Sequence, residues 1–377
     1  MPERETCVNF DLDEDEELLK AMVERFVVDR YDVERRRRYR SEPFGFSDEN
    51  WRLLGDYGLI EGCFDTEDNG HGLNATALTM LFETLGRGIV VEPLIENVVL
   101  AGRLFAATAR DPLRSGWLPG ILSGKRRVAL AHSEAGARDN QSWVETRCES
   151  HDSGWLLSGQ KAYVIAGGGA DGYIVSARTT GAPGDADGVV LVFVPAGTAG
   201  LEVTEWRTAD GGCAVALRFE RTLIDQAHRL VGGLEELAAA QSLASLARTA
   251  EALGVMETLF AQTLDYLRTR EQFGAPLGSF QAIQHRMVAQ YAALEQCRGL
   301  LNLAIVSAGE EGFVSAVDGA RAFVASAALA LGHEMIQFHG GMGVTDELSI
   351  GAGHKRLLVL SRWPESPGAT LDRLAAG

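Results

Sequence analysis

Arg268 and Arg270 run straight into Phe273-Gly274, Pro276-Leu277-Gly278 and Ser279, within the stretch YLRTREQFGAPLGSFQAIQHRM. Two guanidinium groups at a helix end, beside a turn that glycine permits, suit an anionic, planar ligand such as a dinucleotide pyrophosphate. On spacing alone, the same residues also describe a helical hairpin with cations placed favourably at a helix C-terminus. A second segment, Gln337-Phe338-His339-Gly340-Gly341-Met342-Gly343-Val344-Thr345-Asp346-Glu347, is glycine-rich and ends in an acid. A bend of this kind lets the backbone approach a ligand and leaves the next side chain projecting into a cleft. Glu347 is therefore a candidate site carboxylate; the plain alternative is a solvent-facing loop acid beside Asp346.

Other apparent motifs carry no chemistry. Gly167, Gly169 and Gly172 match G-x-G-x-x-G after a strand-like run, but YIVSAR follows as another strand. No helix N-terminus is then offered to a pyrophosphate, and a tight β-turn is expected. His333 and Glu334 begin like H-E-x-x-H, yet the next histidine, His339, is out of register for zinc. There is no G-x-S-x-G elbow and no carboxylate or histidine cluster with metal-ligand spacing. Hydrolase and metalloenzyme readings lack a site.

The elements that must position these residues follow from composition and periodicity. A chain of 377 residues suggests two or three packed modules, and 46% hydrophobic content is ample for burial. No apolar run reaches the roughly 18–20 residues that span a bilayer. The start, MPERETC, has no apolar region of a secretory signal. Five scattered cysteines without C-x-x-C spacing argue against a disulfide framework or zinc site, so a reducing cytoplasm is expected. A net charge of −17 disfavours nucleic acid. The one basic run, Arg35–Arg38, reads as a solvated helix face.

After Asp13, a helix N-cap with Glu16 three residues on, apolar residues at Leu18, Leu19, Met22, Val23, Phe26 and Val27 form a core-facing helical stripe. Helical patterns continue at 51–57, 75–85 and 95–107. From about Arg127, short β-prone runs separated by Gly, Asp and Pro read as a small antiparallel sheet or barrel, with 181–188 a hairpin connection. Long Ala/Leu-rich helical segments return at 234–271, 279–309 and 312–338, followed by a short final helix. The expected fold is α+β, with an N-terminal α-helical domain (1–125), a middle antiparallel β-domain (126–233) and a C-terminal four-helix-bundle-like domain (234–377).

The pattern R-x-Q-F-G-x-P-(I/L)-x-x-F-Q-x-(I/L)-Q around Arg270 and the Q-x-x-G-G-x-G segment ending at Glu347 resemble two signatures of the acyl-CoA dehydrogenase family. The resemblance runs from Asp13 to about Arg362. ELSIGAGHKRL and FDLDEDEELLK are most similar to the small-subunit group of pimeloyl-CoA dehydrogenase type. It implies helices around an inserted β-domain, and FAD-dependent removal of hydrogen from the α and β carbons of an acyl-CoA thioester. A carboxylate then takes the α-proton, flavin N5 takes the β-hydride, and an electron-transferring flavoprotein is the usual acceptor. Glu347 matches the position where many members carry the base; Glu251 is the rival, on a helix that bears the base in others, although an i,i−3 pair with Arg248 is its simpler role. Arg270, Phe273, Gln281 and Gln284 match residues that hold the FAD pyrophosphate and adenosine, typically of a neighbouring subunit. Gln337, Gly340 and Gly341 match a further contact across that interface. Ser133 retains a hydroxyl on the strand and loop along the flavin. Tyr163 stands for the flavin-stacking Trp, and Ile165 for a hydroxyl-bearing Thr.

Those departures define a second expectation: a partner subunit that completes the FAD site of a heteromeric dehydrogenase without catalysing alone. A flavin oxidase or monooxygenase on the same fold is a third. An obligate oligomer is expected, either a homo-oligomer or a heterotetramer with a homologous chain, assembled partly through small-residue faces of 234–271 and 312–338.

Overall fold

The computed structural model describes residues 12–376, so Cys7 lies outside the described residues. The helix α1 (Glu14–Arg30) starts at the expected capping box, in which Glu16 N donates to Asp13 Oδ1 (2.8 Å) and Asp13 N to Glu16 Oε2 (3.0 Å). Val23 and Phe26 are buried, but Leu18 is 68% exposed, so α1 docks through its second half and the expected stripe is shortened. Then follow α2 (Val33–Ser41), α3 (Asp48–Asp56), α4 (Leu59–Gly62) and α5 (Ala75–Arg87). The helix expected over 95–107 forms as one π-type stretch, Ile95–Leu100, running into α6 (Ala101–Thr108), with α7 (Leu113–Leu122) after it. In α2, Arg36 is buried and donates its Nε to Ile89 O (2.8 Å). The basic run is thus not a uniformly solvated face, because one arginine in the turn points inward.

Seven strands follow: β1 (Val128–Ala131), β2 (Arg147–His151), β3 (Gly154–Val164), β4 (Gly172–Arg178), β5 (Val189–Pro195), β6 (Leu201–Arg207) and β7 (Cys213–Ile224). Their order is β1-β4-β2-β3-β7-β6, with β5 also paired to β4. Most pairs are antiparallel, but β4 is parallel to β1, from Val128↔Gly172 to Ala131↔Val175, and to β2 at Arg147↔Arg178. The expected antiparallel sheet is therefore mixed. A parallel neighbour needs a long crossover, and here the β2–β3 excursion supplies it. Gly159, at φ +142, and register shifts on either side of it bend β3 around the sheet. The 167–172 glycines form the turn into β4, as expected, with Gly169 at φ +62. The 181–188 loop joins the antiparallel β4 and β5, and buried Arg178 gathers it by donating to Asp185 O and Asp187 O.

β4 and β5 are buried on both faces. Ile174, Leu191 and Phe193 enter the helical core beside Phe105 and Trp117, whereas Val175, Val190 and Val192 face the sheet's own core. The C-terminal region comprises α8 (Leu234–Thr269), the short ribbon β8 (Glu271–Gln272) and β9 (Ala275–Pro276), α9 (Gln281–Val306), α10 (Phe313–His339), α11 (Ser349–Arg362) and α12 (Pro367–Ala376). The helix through α10 is long and apolar enough by length and composition to cross a membrane, contrary to expectation, although half of its apolar window is buried in the protein. Its buried alanines, among them Ala320, Ala325 and Ala328, lie on a helix that packs against α8 of the same chain. One continuous core joins Val23 and Phe82 to Leu253, Leu331 and Leu357, so the two helical regions share their interior.

The tightest seat in that core is the crossing of α5 and α8. A Cβ on Gly254 would fall well inside van der Waals contact with Glu83 O, and one on Gly86 would do the same with Glu251 O. Backbone meets backbone there, with no flexible side chain to yield. Gly254→Ala is expected to destabilise the protein by about 1–3 kcal/mol through overpacking. Thermal unfolding followed by circular dichroism should show a lower Tm; an unchanged Tm would mean that the helices part without cost.

Candidate functional site

The residues of the first signature gather at one pole of the C-terminal bundle. Arg270 caps α8, its N–H donating to Tyr266 O (2.8 Å), and its side chain is exposed. Phe273 and Gly274 form a two-residue turn between β8 and β9, with φ of +56 and +77. A bulky residue at positive φ is strained, and this one holds a ring 92% exposed to solvent. Gln281 opens α9 and is exposed; Gln284 is also exposed and donates Nε2 to Gly278 O (2.8 Å), fixing the loop.

The second signature lies at the same pole. Gln337 is exposed near the end of α10, and Gly340 and Gly341 border open space, with no atom within 4 Å of a Cβ built on either. Tyr266 stacks on His339 with ring centroids 4.3 Å apart, and Arg286 Nε donates to Glu334 (2.7 Å), tying α8 and α9 to α10. The two sets thus share one exposed end of the bundle, where a guanidinium, amide groups and two open glycines meet solvent.

The β-domain carries a separate set. Ser133 bridges to Tyr163, and Ala162 N donates to Ser133 O (2.9 Å). Beneath them lies a buried polar network. Lys161 donates to Glu134 (2.6 Å), His132 O (3.1 Å) and Ser176 (3.0 Å), while Glu134 also accepts from Thr146 (2.7 Å). Burial pushes Lys161 down to about 8 against the pull of Glu134, and burial with Lys161 pushes His132 down to about 4, so that imidazole is neutral. The network fixes the strand, leaving Tyr163 46% exposed and Trp206 edge-on to it at 6.1 Å. Trp206 was not anticipated, because it lies on another strand and belongs to no motif. Among the described residues, no hydrogen bond or ion pair joins the Ser133–Tyr163 set to the Arg270–Gln337 pole.

Between the N-terminal helices, the sheet's end and α11 is a cleft lined by Phe44, Phe46, Ile95, Ile165, Asp210 and Arg356. Arg356 stands in its wall. Its guanidinium grips Glu251 with two hydrogen bonds (2.6 and 2.8 Å) and reaches Asp210 with a third (2.9 Å). Both carboxylates are buried. Burial, which lowers an arginine, is outweighed by Glu251 and Asp210, and Arg356 is held above its ordinary value. Glu251 therefore does not pair with Arg248; that arginine instead binds Glu96 through two bonds of 2.9 Å. Local spacing could not disclose this, since Glu251 and Asp210 lie 105 and 146 positions from Arg356. Glu347 follows the 3₁₀ turn Gly340–Val344 and is exposed, and among the described residues nothing pairs with its carboxylate. No metal-binding cluster occurs among the described residues.

Comparison with known proteins accounts for this layout. The acyl-CoA dehydrogenase N-terminal, middle and C-terminal domains match residues 13–125, 129–221 and 237–363. Acyl-CoA dehydrogenase FadE27 of Mycobacterium tuberculosis is 31% identical over 79% of this chain and 79% of its own length. Among solved structures, the ChsE4–ChsE5 complex of Mycobacterium tuberculosis superposes with a TM-score of 0.88 at 27% identity, covering 98% of each chain. A variant of the Tcur3481–Tcur3483 steroid ACAD superposes with a TM-score of 0.85 at 28% identity, over 96% of this chain and 97% of that one. With all three domains matched in order on the three structural regions, the chain belongs to the acyl-CoA dehydrogenase family.

Proposed function

We propose that this chain serves FAD-dependent α,β-dehydrogenation of an acyl-CoA thioester as the subunit that completes the flavin site of a heteromeric assembly. The observation that carries this reading is Arg356, which stands in the wall of the cleft and commits Glu251 to an ion pair. A carboxylate gripped by a guanidinium is a poor base, since proton uptake must first break that pair. Ile165, on the same cleft, has no hydroxyl to offer a flavin. Two solved relatives above 25% identity carry paired names, ChsE4–ChsE5 and Tcur3481–Tcur3483, which supports a two-chain assembly.

The exposed pole fits the adenosine half of FAD. Arg270 is placed to bind the pyrophosphate, the open glycines at 340–341 admit close approach, and Gln281 and Gln337 offer amides to adenosine. Phe273 holds its ring where only a ligand or a neighbouring chain would cover it. When bound, FAD accepts the hydride from the β-carbon, and an electron-transferring flavoprotein is the expected acceptor. Tyr163 and Ser133 are the residues of this chain that would face a flavin ring. Because one of those relatives is described as a steroid ACAD, a steroid side-chain CoA thioester is the first substrate class to test.

A second reading, a self-sufficient dehydrogenase with Glu347 as base, is favoured by one feature: its carboxylate is exposed and unpaired among the described residues. In that case Glu347→Gln lowers flavin reduction by orders of magnitude while acyl-CoA still binds.

Co-expression separates the two readings. Purified alone, the chain should take up little FAD and reduce none with acyl-CoA, whereas together with a homologous chain it should elute as a yellow heteromer by light scattering. In that heteromer Glu347→Gln should leave reduction nearly intact. A yellow homo-oligomer of this chain alone, bleached by an acyl-CoA and silenced by Glu347→Gln, overturns the subunit reading.

Arg356→Met leaves Glu251 and Asp210 buried without their cation, at a cost of about 3 kcal/mol, the lower end for such losses because the Arg356 side chain is partly exposed. Asp210 is buried, which raises a carboxyl, but Arg356 and Thr208 hold it below its ordinary value. Its contribution to stability is therefore present above about pH 4 and is lost as pH falls toward the folded value. Tm measured from pH 3 to 7 should show this acid-side loss in the parent but not in Arg356→Met. Adding Asp210→Asn and Glu251→Gln should recover most of the lost Tm.

A further inference from the structure

The arginines of α2 surround a second cleft, bounded by α1, α2, the end of α5, the middle of α8 and the start of α11. Arg36, Arg37, Arg40 and Arg87 all line it. Arg87 is committed to Glu83 and Glu257, but among the described residues no carboxylate pairs with the other three. Of the two acids on the cleft, Asp32 caps α2 and pairs with Arg35, which leaves Asp346. Three cations thus face one uncommitted carboxylate, in a chain whose net charge is −17.

Two of these guanidiniums are also incompletely satisfied. Arg36 is 4% exposed, and its Nη2 is buried without a hydrogen-bond partner, as is Arg40 Nε. An unpaired buried donor on a charged group is costly, and an oxyanion accepts from such donors in the geometry a guanidinium presents. Burial and the neighbouring Arg40 push Arg36 down to about 10, a strain that an anion would relieve. The remaining wall is apolar, with Val27, Ile89 and Leu348 among its residues.

We propose that this cleft is a binding site for a small amphipathic oxyanion, a carboxylate or phosphate group carried on an apolar body. The arginines take the anionic head and the valine, isoleucine and leucine side chains take the body. Asp346 and Ser349 line the same cleft on either side of the loop that carries Glu347, so the ligand sits against that loop. The site shares no lining residue with the Arg270 pole and does not depend on which subunit reading holds.

Calorimetric titration of the purified full-length chain, in the assembly in which it is isolated, tests the site at constant ionic strength with chloride as balancing ion. The probes are octanoate, acetate, inorganic phosphate and coenzyme A. Binding of octanoate well above acetate assigns a carboxylate ligand, and binding of phosphate or coenzyme A without octanoate assigns a phosphate ligand. In either case Arg37→Glu, at an exposed position where folding is not at stake, should weaken binding by about tenfold or more. Arg36→Gln should do the same where it folds. The proposal is overturned if no probe binds, or if binding survives Arg37→Glu unchanged.

Discussion

The guanidinium of Arg356 ties two helices and a loop of the sheet together through one side chain. From α11 it binds Glu251 on α8 and Asp210 in the turn between β6 and β7. Helical bundle and sheet are thereby tied together across the cleft that Arg356 lines. Such buried ion pairs add little net stability over a well-packed apolar contact, because desolvation offsets attraction. What they add is intolerance: either acid left alone in that interior is expensive, so alternative dockings of the sheet are disfavoured.

Buried cations recur as organisers. Arg178, fully buried, collects the carbonyls of Ser142, Val144, Asp185 and Asp187 and so shapes two loops from one side chain. Lys161 does the same for Glu134 and for the His132 carbonyl just past β1. Arg127 donates to Gly168 O and Gly169 O while lying over the rings of Phe44 and Phe46. Each uses a long stem for packing and a planar or tetrahedral head for several acceptors. Loops that would otherwise carry unsatisfied backbone groups into the interior are settled this way.

Much of the fold was readable in the sequence because local chemistry determined it. Asp13 and Glu16 announced the first helix, and the change from helical to strand-like texture near Arg127 marked the sheet. Strand neighbours were not readable: β1 and β4 pair in parallel because of the path between them, and alternation along a strand says nothing about its partner. At the site, residues of two separate motifs, Arg270, Phe273, Gln281 and Gln284 from one and Gln337, Gly340 and Gly341 from the other, lie at the same end of the bundle. Glu251 misled, since a neighbour at i−3 is visible in sequence and a cation 105 residues away is not. The α2 arginines misled similarly, because a run of like charges does not reveal which one turns inward.

The single core shared by the two helical regions has a consequence for how the chain is made. Leu81, Phe82, Leu85 and Val99 pack in one cluster with Leu246, Leu253 and Leu259 on α8, and the whole sheet, Val128–Ile224, is encoded between them. During synthesis the N-terminal helices leave the ribosome with their apolar faces uncovered, and the partner surface appears only after the last strand. For that interval they are a sticky, half-built layer. The close backbone seat at Gly86 waits for Gly254 throughout, so the rate of translation across the sheet sets how long a nascent chain stays prone to aggregation.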